Sequence, residues 1–162
     1  MLKSMKTLPK DAFDFDAYLN REERELVLLY LGSSTCGFCI EPQYKALLIE
    51  AKERLAPLAL ARHMKMRTIG VSIDWSISEG IAFLEDAGEW NEIVVGNNWY
   101  NSAVIEHVWG VAEATGGVPQ VIVFERKLKH TTEPHRVFEI QSKRYLVRLR
   151  NVKIITYNIF LI

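Results

Sequence analysis

The chain has 162 residues, 49% hydrophobic and 25% charged, a balance that excludes a disordered polymer and makes one globular core the natural expectation. Twenty Lys/Arg offset twenty Asp/Glu, and no apolar run reaches the roughly 18 residues that a membrane span needs. Residues 1–15 carry lysines but no apolar h-region, and there is no Asn-x-Ser/Thr sequon, so the chain reads as cytoplasmic or as a processed secreted form.

Residues 11–25 are polar and charged with Phe13, Phe15 and Tyr18 along one edge, the pattern of a short helix. Residues 26–31 (Leu-Val-Leu-Leu-Tyr-Leu) form a continuous apolar run that suits a strand buried on both faces. It ends at Gly32-Ser33-Ser34, and a Cys-x-x-Cys follows. From Ile40 to about Met64, Tyr44, Leu47, Leu48, Ala51, Leu55 and Leu58 fall on one helical stripe; Pro42 suits the first turn, while Pro57 is expected to kink or interrupt the helix. Residues 67–74 form a second strand. Ser76 and Glu79 make a capping box for a helix carrying Ile77, Ile81 and Leu84 to a stop at Gly88.

Residues 93–95 have the pattern of a short strand, and Asn101 or Ser102 is placed to cap a further helix with Val104, Ile105, Val108 and Trp109. Gly116-Gly117-Val118-Pro119 is a turn before an apolar strand at 121–124. Residues 125–133 are charged and read as a hairpin-like connection, and 135–141 alternate like a strand. Residues 145–162 fit strand or helix equally. Strands alternating with helices before an antiparallel ending imply an α/β fold with a mixed sheet. One domain is expected over 1–162, its core at about 25–141, with the segment 143–162 unassigned.

Charge is unevenly spread, +7 over residues 126–162 and −7 over the rest. No nucleic-acid motif accompanies the basic end, so it reads as solvated strand faces rather than as a nucleic-acid surface. Gly-x-Gly-x-x-Gly, phosphate-loop and His-Glu-x-x-His motifs are absent. His130 and His135 flank Glu133 in a charged hairpin and are expected to be solvated, so no metal is assigned. Trp75, Trp90, Trp99 and Trp109 are expected in an aromatic core or on an insertion surface, and Asp74 at a turn or helix entry.

Both cysteines lie in one tetrapeptide, Cys36-Gly37-Phe38-Cys39, between a buried strand and a helix. That spacing brings the sulfurs within bridging distance. A first cysteine at a helix N-terminus gains thiolate stabilisation from unpaired N–H groups, and one a turn further in is shielded and can resolve a mixed disulfide. This assigns attack to Cys36 and resolution to Cys39, with two buried inert thiols as the bland alternative.

The run at 26–31 followed by Ser-Thr-Cys-Gly-Phe-Cys, the long helix with an early proline, and Gly117-Val118-Pro119 opening a strand together resemble the thioredoxin superfamily over roughly residues 25–141. The resemblance implies a thioredoxin-like fold, a central mixed sheet flanked by helices. It also implies a cis-proline at Pro119 facing the cysteines, with backbone at Val118 and Pro119 that docks an extended substrate. The long segment between Asp74 and Pro119 looks like an insertion of the thiol reductase and peroxiredoxin-related branch. Three motif positions depart from the family: Thr35 stands where Trp is usual, Phe38 where Pro is usual, and Tyr30 where thioredoxins proper carry a buried acid. Without that acid, deprotonation of Cys39 falls to water or another group; Glu41 is near in sequence.

The function expected is a thiol-disulfide oxidoreductase working through Cys36 and Cys39, with Val118 and Pro119 binding substrate and Thr35, Gly37 and Phe38 flanking the motif. It needs no bound cofactor, and its partners are protein thiols or disulfides or a low-molecular-weight thiol. The alternative is a binding or adaptor module of the same fold whose cysteine pair is vestigial or regulatory.

Overall fold

The computed structural model describes residues 22–111, 116–130 and 138–150. Five strands form one mixed sheet in the order β3-β2-β1-β4-β5. The central strand β1 (Glu22–Gly32) runs parallel to β2 (Lys65–Ser72), and β2 runs parallel to β3 (Glu92–Val94). On its other side β1 pairs antiparallel with β4 (Gln120–His130), which pairs antiparallel with β5 (Phe138–Arg150) through two register shifts. Residues expected as the end of a first helix, Glu22 to Glu25, belong instead to β1, where β4 takes up their backbone groups; residues 11–21 of that expectation lie outside the described part.

The apolar run of β1 is buried on both faces because helices cover both. Leu26, Leu28 and Tyr30 point to α1 (Pro42–Ala61) and α2 (Ile77–Asp86). Val27, Leu29 and Leu31 point to the opposite layer, built from α3 (Ser102–Val104) and the π turn Ile105–Trp109 that continues it. Each of these side chains is at most 1% exposed, and burying a Leu or Val contributes about 1.5–3 kcal/mol. The architecture is a thioredoxin-like α/β sheet with helices on both faces.

Two element expectations are corrected. Pro57 neither breaks nor ends α1, which runs unbroken from Pro42 to Ala61. Pro57 and Glu53, whose carbonyl loses its helical partner, both face solvent, while Tyr44, Leu48, Ala51, Leu55 and Ala59 hold the opposite stripe in the core. The helix stops when His63 turns left-handed, at φ 54°, letting Met64 N–H reach the Ala59 carbonyl at 2.9 Å and His63 N–H reach that of Leu60 at 3.0 Å. The second correction concerns residues 125–130, which are strand rather than connection. Their charges are satisfied across the sheet, as with Arg126 to Glu25 at 2.6 Å and Lys127 to Glu22 at 2.8 Å.

Other expectations agree. Ser76 Oγ accepts from Glu79 N–H at 3.3 Å, and Asn101 Oδ1 caps α3 by accepting from Val104 N–H at 2.9 Å. Residues 145–150, left open between helix and strand, are in β5. Residues 131–137 and 151–162, with Glu133 and His135, lie outside the described part.

Candidate active site

The candidate site sits where β1 and β2 end side by side, with Ile73 N–H donating to the Gly32 carbonyl at 3.0 Å. Beyond Gly32 the chain makes two tight turns. Cys36 N–H donates to Ser33 O at 3.2 Å, and Cys39 N–H donates to Cys36 O at 2.9 Å. The helix begins only at Pro42, so Cys36 lies six positions before it rather than at its N-terminus. That corrects the expected position of both cysteines: the motif is a turn, because Pro42 sets the first helical φ and the 36–39 bond closes ahead of it.

Burial separates the two sulfurs. Cys36 is half-buried and Cys39 is 1% exposed. Burial first, and the neighbouring Cys36 thiol second, push Cys39 up to about 12, against a smaller opposing effect of a Ser33 backbone N–H at its sulfur. Cys39 therefore remains a thiol at neutral pH.

Val118 meets Cys36 because β4 starts beside the end of β1, with Gln120 opposite Leu31. The Cys36 thiol faces the Val118 carbonyl at 3.7 Å, and the Val118–Pro119 peptide is cis. Val118 is half-buried and Pro119 buried. Thr35 is exposed, its hydroxyl 2.8 Å from that of Ser33; Gly37 faces open space, and Phe38 is 60% exposed. Glu41 is turned to Gln43, which donates to it at 2.5 Å.

Two residues that shape this site carry no sequence motif. Asp74, just past β2, accepts from Ser33 Oγ at 2.9 Å, Ser34 N–H at 3.0 Å, Ser34 Oγ at 2.8 Å and Ser72 Oγ at 2.6 Å. Burial alone would raise its carboxyl, but these donors outweigh it and hold Asp74 below the usual carboxylate range. Gln120, fully buried, donates to the Gly117 carbonyl at 2.6 Å and accepts from Arg148 at 3.0 Å, bracing the turn that carries Val118. The only available signal was proximity to a motif: Asp74 follows a strand end and Gln120 follows Pro119.

The tryptophans divide. Trp90 stacks on Tyr30 with ring centroids 5.9 Å apart, Trp99 and Trp109 pair at 5.8 Å, and Trp75 is 74% exposed beside Asp74. Among the described residues no group of three His, Cys, Asp or Glu is placed to hold a metal ion, and no helix is long and apolar enough to cross a membrane.

No family model matches the chain, and no curated protein does. Among solved structures it is similar to the thioredoxin domain of a thiol-disulfide oxidoreductase from Bacteroides vulgatus, at 14% identity over 88% of this chain and 79% of that one, with a TM-score of 0.46. A thiol:disulfide interchange protein from a Bacteroides species aligns at 17% identity over 67% of this chain and 60% of that one, TM-score 0.39. A thiol-disulfide oxidoreductase from Bacteroides fragilis aligns at 17% over 76% and 74%, TM-score 0.37. The sheet order and the cysteine turn facing Val118 define, on their own geometry, a thioredoxin-like α/β protein with a dithiol at the end of its central strand.

Proposed function

We propose that the chain is a thiol-disulfide oxidoreductase that exchanges disulfides with protein thiols or a low-molecular-weight thiol through Cys36 and Cys39. The observation that carries the reading is the unequal placement of two thiols in one turn: Cys36 only half-buried and 3.7 Å from the Val118 carbonyl, Cys39 closed off at 1% exposed. Cys36 as thiolate attacks one sulfur of a partner disulfide, and the other sulfur leaves with the electron pair. Cys39 then attacks Cys36, the mixed disulfide breaks, and the partner departs reduced while the Cys36–Cys39 bond closes. Run backwards, the same steps oxidise a partner dithiol. An extended partner segment lying along Val118 and Pro119 would present its disulfide to Cys36.

The test is a disulfide-reduction assay with single-cysteine variants. Cys39→Ser should keep attack and accumulate mixed disulfides that survive non-reducing electrophoresis. Cys36→Ser should trap nothing, because Cys39 lacks access, and both should lose turnover. Equal trapping by the two variants, or a wild type inert toward every disulfide offered, overturns the reading and leaves the adaptor module.

A further inference from the structure

Two hydroxyls are buried beside the cysteine pair with nothing to bond. Tyr30 on β1 and Tyr44 in the first turn of α1 are both 0% exposed, and neither phenol oxygen has a hydrogen-bond partner. Buried polar groups are normally satisfied, so an orphaned hydroxyl beside a cysteine pair calls for an explanation, and a role in another state of that pair is one. The Tyr30 ring runs along β1 toward the cysteine turn: a Cβ on Gly32 would lie 2.4 Å from its oxygen. Cys39 packs in the same buried cluster as Tyr30, Tyr44 and Phe83, and Cys36 lies against its edge.

We infer that Tyr30 serves the resolving step, its hydroxyl donating a hydrogen bond to the Cys39 sulfur as that sulfur becomes the attacking thiolate. The inference rests on the exchange chemistry proposed above and assigns a residue to its second half. In the mixed disulfide, Cys39 gives up its proton and forms a bond to the Cys36 sulfur. The bond between Cys36 and the partner breaks, its electron pair goes to the partner sulfur, and that sulfur takes up a proton to leave as a thiol. The cysteine pair is oxidised by two electrons and the partner is reduced by two. Tyr30 transfers nothing in this sequence.

It acts as donor and not as base because burial, reinforced by Cys39 and Tyr44, holds its phenol far above the ordinary range, so it keeps its proton throughout. A thiolate is a far better acceptor than a thiol, so the hydroxyl gains its partner when Cys39 loses its proton. Although the Tyr30 hydroxyl makes no formed hydrogen bond here, it lies near enough to the Cys39 sulfur to oppose part of the rise that burial imposes on it. Tyr44 has the same burial but does not act on Cys39 in this way, which makes it the natural control.

The experiment uses the full chain and an aromatic disulfide whose released thiolate is coloured. Attack by Cys36 releases a first equivalent, and resolution by Cys39 releases a second. In Tyr30→Phe, which keeps the ring and removes only an unsatisfied hydroxyl, the first phase should match wild type. The second should slow about tenfold or more, the scale of one hydrogen bond to a charged group, and its pH profile should move to higher pH. Tyr44→Phe should leave both phases near wild type. An unchanged second phase in Tyr30→Phe, or equal slowing in Tyr44→Phe, overturns the role of Tyr30 while two phases in wild type leave the exchange reading standing. A wild type without a first phase overturns both.

Discussion

Asp74 shows how one carboxylate sets a loop. Four donors from three serines converge on it, two of them from Ser34, and Ser34 lies two residues before Cys36. Asn at this position keeps the shape but replaces one acceptor oxygen with a donor, so part of the cluster is left unpaired. Asp74→Asn should cost about 1–3 kcal/mol and speed hydrogen exchange at the Ser34 amide, read by mass spectrometry. Because the folded carboxyl lies below its unfolded value, this stabilisation is present above the unfolded value and is lost as pH falls through the folded one. The gap between wild type and Asp74→Asn should therefore close in acid. His107 has the depressed case among bases. Burial, then Lys143, with smaller pushes from Arg126 and Arg148, bring it to about 4 against the pull of Glu106, while its Nδ1 stays 3.0 Å from the Tyr145 hydroxyl. The unfolded chain then takes up a proton that the fold refuses, so stability falls as pH drops from about 6.5 toward 4, by no more than about 3 kcal/mol. Urea melts at neutral and acid pH should show this slope, and His107→Gln should flatten it.

At the level of elements, the end of β1 is where packing and chemistry meet. Gly32 has no side chain because the Tyr30 ring occupies the space: a Cβ there would sit 2.4 Å from the phenol oxygen and 2.7 Å from the Phe83 ring. Gly32→Ala should destabilise by about 1–3 kcal/mol. Adding Tyr30→Phe, which removes the nearest clashing atom, should recover part of that loss, and a double-mutant cycle from thermal melts would show a coupling above about 0.5 kcal/mol. An additive pair would mean that the strand end yields elsewhere. What was legible in the sequence was local. The apolar run of β1, the Ser76 cap and the helical stripe of α1 are each decided within a few residues. Charge misled at the start of β1 and the end of β4, since Glu22 to Glu25 and residues 125–130 look like helix and loop until their partners are brought across the sheet. Gln120 was missed, and Asp74, expected at a turn or helix entry, gave no sign of which turn it holds, for the same reason: Asp74 reaches Ser34 across 40 residues, and only the parallel register of β1 with β2 puts those strand ends together. Tyr30 was read as a missing acid, since no local pattern shows where a phenol points.

For the whole molecule, the opposed charges of the two chain segments resolve into pairing. The basic side chains expected on solvated strand faces meet acids from earlier in the chain: Lys143 with Glu106, Arg144 with Glu125 at 2.8 Å, Arg126 with Glu92 at 3.0 Å. The deepest member is Glu25, 0% exposed on β1, which accepts from Arg126 at 2.6 Å and from Arg67 at 3.1 and 3.0 Å. This network joins β1, β2, β3 and β4 at one end of the sheet, while the dithiol lies past the other. Seven residues of strand from Glu25 to Gly32 span about 23 Å at 3.3 Å per residue. The charge network and the dithiol thus lie at opposite ends of the same strand, and a change at Glu25 should lower stability without touching the dithiol. Glu25→Gln leaves two arginines facing a neutral amide in a buried place, so it should cost about 3 kcal/mol and lower the melting temperature by several degrees. Below the melting transition, both phases of thiol release from the aromatic disulfide should keep their wild-type rates. A variant that melts early and also loses the second phase would show that the charge network holds the cysteine turn in place, and the separation of the two ends would fail.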